Sequence, residues 1–502
     1  MSIEKARAAV REVPLYIGGQ FVSAVRGGRF PTLNPATNEP ITTVSEGTAA
    51  DIDRAVSSAA SAFRDGPWAR MPGAERARYL RRVADLMMED QEALALLETL
   101  DTGIPIRQTR GQVARAAENF RFFADMATHM TGETYPVEGR YLNYSVIQPV
   151  GVAGLITPWN TPLMLECWKI APCLAAGNTA VLKPAEWSPL TADRLTQIIH
   201  RADLPPGVFN VVHGYGETAG AALVAHPDVR LISFTGETET GREIMRNGSQ
   251  TLKRFSMELG GKSPVIVFAD ADLDQALNAA LFGMFTLNGE RCTAGSRVLL
   301  EAPIAREFQA RLEARIAAIK VGDPFDEATE LGPLIHPDHH ARVSGYLDIA
   351  REEGARIPVG GRRPAAFTAG NFLEGTLLTD VRPGMRVEQE EIFGPVLTVL
   401  TFTTEDDAVR IANDVRYGLA AYLWTRDLAR GHNVAARIES GMVWINSPNV
   451  RDLRTPFGGA KDSGIGREGG HYSFEFYTER KAVQVALAPP AIPIVGHIEG
   501  AR

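Results

Sequence analysis

Short apolar runs that alternate with helical segments set the strongest limit on the fold of this chain. The runs lie at 152–157, 180–183, 208–212, 231–234 and 265–268. Because each run is apolar at successive positions, both of its faces are expected to be buried, as in a parallel sheet covered by helices on both sides. A second series follows, with helical segments near 273–287, 304–319 and 408–413 and strand-like segments at 420–424 and 442–445. The sequence therefore predicts an α/β protein with two α/β domains.

The region before residue 150 is predicted to be mainly helical. A strand-like segment at 15–22 precedes a helix that opens at Thr48 and Asp51, which have capping-box spacing. A second helix is predicted over about 74–100, ending before Gly103, and a third over about 112–130.

Composition excludes several classes of protein. The chain has 502 residues, 45% of them hydrophobic, and a formal net charge of −8 (52 − 60). An acidic chain without a basic run argues against nucleic acid as a partner. The uncharged stretch 141–165 contains prolines and asparagines, so we interpret it as strand, loop and strand and expect no membrane span. With no secretory signal pattern and three cysteines outside any C-x-x-C motif, we expect a cytoplasmic protein.

Cys292 is the candidate nucleophile. It lies in the segment 288–295, which reads NGERCTAG, where two glycines allow a sharp turn and close approach of a ligand. The alternative is an inert buried cysteine, the commonest state of a free thiol. Cys167 and Cys173 fit that alternative, because they lie in an apolar stretch. They have no nearby histidine ligands, so no metal site is expected.

Two further polar residues follow apolar runs. Glu258 precedes Gly260 and Gly261, at the end of a strand where active sites of α/β sheets form, and a carboxylate there would serve as general base for water. Its alternative is a solvated loop glutamate. Asn160 lies between Pro158 and Pro162, which hold its amide as an oxyanion donor, or simply form a turn.

The signals for a nucleotide cofactor are individually weak. Gly216 lies in a glycine-rich turn that lacks the usual dinucleotide spacing. The segment 234–236 (FTG) and Gly241 lie near a predicted helix start, where backbone amides would face a pyrophosphate. Lys183 and Glu186 follow another strand and are suited to ribose hydroxyls, and the acid disfavours the extra phosphate of NADP.

Seven blocks, taken together and in order, resemble the aldehyde dehydrogenase superfamily. The blocks are 158–160 (PWN), 183–186 (KPAE), 234–236 (FTG), 258–262 (ELGGK), 288–295 (NGERCTAG), 391–395 (EIFGP) and 456–459 (PFGG). The resemblance covers nearly the whole chain. It implies a Rossmann-like NAD-binding domain (1–130 and 149–262), an α/β catalytic domain (263–470), and an oligomerisation arm with a C-terminal tail (131–148 and 471–502). It also implies a homodimer or homotetramer.

The resemblance assigns catalytic roles. Cys292 would attack the aldehyde, Asn160 and the Cys292 amide would stabilise the oxyanion, and Glu258 would activate the hydrolytic water. Lys169 and Glu468 would assist, in roles that the sequence leaves open. The cofactor contacts that the resemblance implies are Ile156, Thr157, Pro158, Trp159, Lys183, Glu186, Gly216, Phe234, Gly236, Gly241, Leu259, Glu391 and Phe393. One departure is Glu237, where many members have serine, and we expect its carboxylate to point away from the diphosphate.

The segments 101–105, 288–292 and 446–457 resemble bacterial semialdehyde dehydrogenases of aromatic meta-cleavage pathways. That resemblance implies a dianionic substrate. Arg451 and Arg454 would each clamp a carboxylate, beside Phe457 and Trp168 as substrate contacts. An ion pair of one arginine with Asp452 is the alternative. A monoanionic ring-cleavage semialdehyde, a broader range of aldehydes, or a thiol esterase without redox chemistry stay open as functions.

Overall fold

The computed structural model describes residues 2–137, 140–493 and 495–496. A mostly parallel sheet, built mainly from the N-terminal half of the chain, is its first large element. Within these residues it has eight strands, and its five central strands run parallel. In spatial order they are Gln20–Val22, Leu15–Ile17, Phe209–Val211, Thr179–Lys183, Val152–Ile156, Val229–Thr235, Arg254–Glu258 and Gly464–Ile465. Continuous apolar runs bury both faces of the central strands, as the sequence predicts.

A second sheet has seven strands among the described residues. In spatial order they are Arg356–Val359, Thr376–Thr379, Val396–Phe402, Arg297–Glu301, Pro264–Val267, Ala420–Trp424 and Met442–Ile445. All neighbours except the first pair are parallel. The α/β fold class is therefore confirmed.

The third sheet joins Thr134–Val137, Tyr141–Pro149 and Thr478–Ala486 in antiparallel register. Apolar side chains on it are exposed; they are Tyr135, Val137, Tyr141, Leu142, Val146 and Val485. Parts of the arm and tail expected from the sequence, at 138–139, 494 and 497–502, lie outside the described residues. Two smaller pairs are Arg29–Leu33 with Pro40–Ser45 and Tyr417–Gly418 with Ala460–Lys461.

Helices cover both faces of the large sheets. In the N-terminal half they are Ser2–Ala8, Ala49–Arg64, Gly73–Glu89, Gln91–Thr102, Ile106–Ala127, Pro162–Ala175, Leu190–Arg201, Ala221–Ala225 and Thr238–Gly248. In the C-terminal half they are Leu273–Phe285, Ala302–Ala317, Pro337–Glu352, Arg386–Gln389, Glu405–Asn413, Leu428–Ala435 and Gly470–Tyr477. Among the described residues, none of these helices combines the length and apolarity needed to cross a bilayer.

The prediction of one helix over about 74–100 was wrong. Two helices, Gly73–Glu89 and Gln91–Thr102, are separated at Asp90, whose backbone (φ −104°, ψ 13°) leaves the helical region. The Asp90 carboxylate accepts a hydrogen bond of 2.7 Å from Arg194, so an ion pair with a distant helix holds the break. The strand-like segment 15–22 is likewise a hairpin, turned by Gly18 and Gly19 at positive φ. By contrast, the capping box is confirmed, since the Thr48 N–H donates to Asp51.

Candidate active site

Strand ends bring four sequence-predicted positions to one edge of the first sheet. Ile156 lies in register with Lys183 on one side and with Phe234 on the other, and Thr235 lies in register with Glu258. These residues end neighbouring parallel strands, so their carboxyl ends open onto a common crevice. Sheet topology therefore gathers the candidate cofactor and catalytic residues.

The loop that carries Cys292 is held by its own preceding turn. Leu287 and Asn288 have φ of 53° and 57°, a region that non-glycine residues rarely adopt. The Asn288 side-chain amide donates to the carbonyl oxygens of Gly103 (3.1 Å) and Pro333 (2.9 Å). Contacts with two distant segments thus stabilise a strained turn, which fixes the position of the thiol.

Two cavities meet at Cys292. The smaller has a volume of about 190 Å³ and the larger about 760 Å³. Cys292, Asn160, Thr235 and Leu259 line both. A thiol in this position can be approached by one molecule from each side.

The half-buried Cys292 thiol has its pKa raised to about 11. Burial is the main cause, and the carboxyl groups of Glu391 and Glu258 raise the pKa further. The charges of Arg291 and Arg451 oppose this effect, because they favour the thiolate. The thiol is therefore protonated at neutral pH, and ionising it requires a proton acceptor or the neighbouring cations.

Glu258 is buried at the end of its strand, and its Oε1 makes no hydrogen bond with the described residues. Burial raises its pKa well above the usual value, and the nearby carboxyl of Glu468 adds to the shift. A carboxylate whose pKa is raised binds a proton more strongly, which suits a general base. The alternative of a solvated loop glutamate does not apply.

Asn160 is also buried, and its Nδ2 donates to the carbonyl oxygen of Glu290 at 2.8 Å. A side-chain amide has two N–H donors, so this bond orients the amide and leaves one donor for an oxyanion. Glu290 is itself fixed, since its Oε1 accepts the Ile335 N–H at 2.9 Å. The donor is thus preorganised by residues next to the thiol.

Lys169 and Glu468 form a buried pair at 2.9 Å near Glu258. The Lys169 ammonium also donates to Ser233 at 2.9 Å, and Ser233 donates to Glu468 at 3.3 Å. The charge of Lys169 opposes the rise in the pKa of Glu258. Neither residue has a definite role from the sequence, and the structure places both close enough to act on Glu258 through their charges.

The smaller cavity contains the motif residues expected to hold a nucleotide. Its lining includes Pro158, Trp159, Gly236, Gly260, Glu391 and Phe393. Glu391 accepts the Gly261 N–H at 2.8 Å, and burial raises the pKa of its carboxyl to about 7. Phe393 has φ of 61°, its carbonyl oxygen lies 2.7 Å from the His339 ring nitrogen Nε2, and its ring packs on Trp159.

Polar and glycine positions in the wall of this cavity leave groups and space for a ligand. The Thr235 hydroxyl lines the cavity and makes no hydrogen bond with the described residues, as is also true of the buried Thr157 hydroxyl, which lies outside the lining. At Gly260 a Cβ atom would overlap the Glu391 carboxylate, so the glycine leaves room for that side chain. Near the same sheet edge, Lys183 pairs with Glu186 at 2.7 Å.

Other cofactor candidates are placed less uniformly. Gly241 is buried in the first turns of the helix Thr238–Gly248, where a Cβ would lie 2.7 Å from Leu259. Gly216 is exposed at the start of a π-helix, Gly216–Gly220, and is not among the residues lining the smaller cavity. Glu237 is exposed, lines that cavity, and its charge contributes to the raised pKa of Glu391.

The two arginines expected to clamp the substrate are separated by the structure. Arg451 lines the larger cavity, with its guanidinium 3.9 Å from the ring centre of Phe457 and 4.6 Å from that of Trp168. Arg454 is exposed and does not line that cavity, and its Nε donates to Asp452 at 3.0 Å. Pairing with Asp452, the alternative left open by the sequence, is the geometry adopted by Arg454.

Three further arginines line the larger cavity, and the sequence did not single them out. Arg107 and Arg115 lie on the helix Ile106–Ala127, and Arg291 immediately precedes the thiol. Helical spacing of i and i+8 would have placed the first two near one face, which is the only signal available for them. Among the described residues, no group of three or more His, Cys, Asp or Glu side chains is placed to hold a metal ion.

Comparison with known proteins gives a family match and relatives that agree with each other. A model of the aldehyde dehydrogenase family matches residues 21–483. The chain is 51% identical over 470 residues to 5-carboxymethyl-2-hydroxymuconate semialdehyde dehydrogenase of Escherichia coli, covering 92% of this chain and 99% of the relative.

Solved structures agree with this result. The crystal structure of HpcC from Thermus thermophilus has a TM-score of 0.97 and 51% identity, covering 99% of this chain and 98% of that one. Betaine aldehyde dehydrogenase from Staphylococcus aureus in complex with NAD⁺ has a TM-score of 0.97 and 38% identity, covering 99% and 100%.

Proposed function

The chain belongs to the aldehyde dehydrogenase family and is an oxidoreductase of that type, and from this premise we propose that it oxidises a dicarboxylate ring-cleavage semialdehyde with NAD. The substrate we favour is 5-carboxymethyl-2-hydroxymuconate semialdehyde, in aromatic catabolism of the homoprotocatechuate type. The relative from Escherichia coli supports this choice by its name. The main observation in support of this substrate is the charge of the larger cavity, whose lining contains four arginines and only two carboxyl groups, both buried.

The charges on the cavity wall favour an anionic substrate. Arg107, Arg115, Arg291 and Arg451 are four cations on this wall, against the two carboxyl groups of Glu258 and Glu468. In a chain of net charge −8, such a local excess of positive charge attracts an anionic substrate to this cavity. A neutral aliphatic aldehyde would gain nothing from these four guanidinium groups.

The proposed chemistry uses the residues at the junction of the cavities. The Cys292 thiol loses its proton to solvent, and the thiolate adds to the aldehyde carbon as the carbonyl π bond opens to an oxyanion. Asn160 and the Cys292 backbone N–H would hold this oxyanion. Bound NAD supplies the hydride acceptor. Glu258 then takes a proton from the water that cleaves the thioester, which releases the acid and the thiol. Overall, aldehyde, NAD⁺ and water give carboxylate, NADH and two protons.

In the small cavity we assign the cofactor to the motif residues. Lys183 and Glu186 would hold the adenosine ribose, Gly236 the pyrophosphate, and Glu391 with Phe393 the nicotinamide ribose. The half-buried Glu186 carboxylate would repel the additional phosphate of NADP. We therefore propose NAD as the preferred acceptor.

The exposed apolar side chains of the third sheet support a homodimer or homotetramer. Large apolar patches on a folded chain usually mark an interface. Light scattering on the purified chain measures the assembly directly, and a monomer would contradict this part of the proposal. We propose the cytoplasm as its location.

NADH formation by the purified chain with three aldehydes tests the function. They are the dicarboxylate semialdehyde, freshly made from homoprotocatechuate with an extradiol dioxygenase, the monocarboxylate 2-hydroxymuconate semialdehyde, and neutral hexanal. We expect kcat/KM to fall in that order. A higher value for hexanal would contradict an anionic substrate. Absence of NAD binding in calorimetry, together with hydrolysis of activated esters, would instead favour the thiol esterase.

A further inference from the structure

Three arginines of the larger cavity have no ionic partner. Arg107 lies 3.8 Å from Glu330, but Arg115, Arg291 and Arg451 form no ion pair with any residue in the described part of the chain. Most other arginines near them in sequence are paired, as Arg110 is with Glu92. Unpaired guanidinium groups that share one cavity wall indicate that an anion belongs there.

These three groups also lie close enough to repel one another. The pKa of Arg451 is lowered to about 10, first by burial and then by the charges of Arg115 and Arg291. The pKa of Arg115 is lowered as well, by desolvation and by the charge of Arg291. Arg291 thus acts on both of the others. Like charges gathered in a partly desolvated cavity destabilise the unliganded protein, and a bound dianion relieves the repulsion.

The guanidinium of Arg291 is fixed by the loop that carries the thiol. Its Nε donates to the Thr293 hydroxyl at 3.0 Å, and its Nη1 donates to the Thr286 hydroxyl at 3.4 Å. A guanidinium has five N–H donors in a planar fork, so these two bonds leave donors for a carboxylate. The group is therefore preorganised, and its residue directly precedes Cys292 in the chain.

Arg451 is oriented differently. It lies over the aromatic rings of Phe457 and Trp168, and it comes from a segment far from Arg291 in sequence. Two guanidinium groups held by independent supports match two separate carboxylates better than one. A monocarboxylate would leave one of them without a partner.

We propose that Arg291, held by Thr286 and Thr293 and flanked by Arg115, binds the second carboxylate of the substrate and so selects dicarboxylate over monocarboxylate semialdehydes. This inference rests on the proposed function and extends it to one residue. Arg451 binds the first carboxylate in this arrangement. Discrimination between the two substrates therefore depends on Arg291.

The test compares kcat/KM for the two semialdehydes in the wild type and in Arg291→Gln. We expect the ratio of dicarboxylate to monocarboxylate to fall about 10- to 100-fold, as for the loss of a charge-assisted pair, chiefly through KM for the dicarboxylate. Arg291→Lys keeps the charge but loses the fork, so the ratio should be intermediate. Arg121→Gln is the matched control, because Arg121 lies on the same helix as Arg115 but pairs with Asp85.

The outcomes separate this proposal from the proposed function. If the wild type does not prefer the dicarboxylate, both fail. A second outcome is that the wild type prefers the dicarboxylate while Arg291→Gln lowers kcat/KM for both semialdehydes equally, leaving the ratio unchanged. In that case Arg291 only positions the thiol loop, and the inference is overturned. Calorimetric NAD binding by each variant verifies that the chain is folded. Should the glutamine variant not fold, the ratio of kcat/KM values is measured in Arg291→Lys instead, and a ratio equal to that of the wild type overturns the inference.

Discussion

The two cavities that meet at Cys292 are built in different ways. The smaller one is lined by two glycines, Gly236 and Gly260, and by aromatic side chains that include Trp159 and the positive-φ residue Phe393. The larger one is lined by side chains that include four arginines. Glycines leave room for the close approach of a ligand, whereas charged side chains on a fixed frame can be exchanged to suit a substrate. The comparison indicates that one side is generic and the other specific.

Electrostatics distinguish the same two sides. The smaller cavity contains Glu391 and Glu237, and the charge of Glu237 contributes to the raised pKa of Glu391. The larger cavity carries the positive charges that lower the pKa of Cys292, from Arg291 and Arg451. The positive charge at this thiol therefore lies on the side of the larger cavity, where we propose that the anionic substrate binds. Substitutions should affect one side and leave the other unchanged.

The largest effect is expected for Cys292→Ser, since this residue supplies the proposed nucleophile at the junction of the two cavities. Loss of the thiol nucleophile should reduce NADH formation at least about 1,000-fold. NAD affinity measured by calorimetry should be retained, because the cofactor contacts lie on the other residues of the smaller cavity. A variant that keeps the wild-type rate would refute the catalytic assignment.

The pH dependence of alkylation should come next. With a thiol pKa of about 11, the thiolate fraction grows as the pH rises. The rate of iodoacetamide modification of Cys292 should therefore increase about 100-fold between about pH 7 and pH 9. Peptide mapping distinguishes it from the buried Cys167 and Cys173. A plateau below about pH 8 would show that the nearby arginines outweigh burial.

Arg451→Gln tests the specific side alone. Removing a charge-assisted partner should raise KM for the dicarboxylate semialdehyde about 10- to 100-fold and leave NAD affinity unchanged. Arg454→Gln is the matched comparison, since its exposed ion pair with Asp452 should contribute little. A large KM effect at Arg454 would favour the clamp first expected from the sequence over the observed geometry.

A smaller effect on the generic side is expected for Glu186→Gln. Without the carboxylate that pairs with Lys183, NAD affinity should fall about 5- to 10-fold, and the preference over NADP should shrink. KM for the aldehyde at saturating NAD should stay within error. Weaker aldehyde binding in this variant would show that the two cavities are not independent.

Several parts of the site were predictable because local sequence constrains them. Gly260 and Gly261 indicate the turn that follows Glu258, and Glu258 does end the strand Arg254–Glu258. Cys292 and Asn160 lie in short motifs whose glycines or prolines restrict the backbone conformation, and both residues line the two cavities. The break at Asp90 was missed because an ion pair with the distant Arg194 maintains it, which helical periodicity does not register.

The sequence by itself determined the parallel sheet and the cluster of motifs at its edge. Buried strands and turns depend on residues that are neighbours in sequence, so local sequence patterns predict them. Only the tertiary structure decided which arginines line the larger cavity. It selected the local pair of Arg454 with Asp452, which the sequence had left open, and brought Arg115, Arg291 and Arg451 to one cavity. The gathering of charges from segments far apart in sequence depends on packing, and no local pattern encodes it.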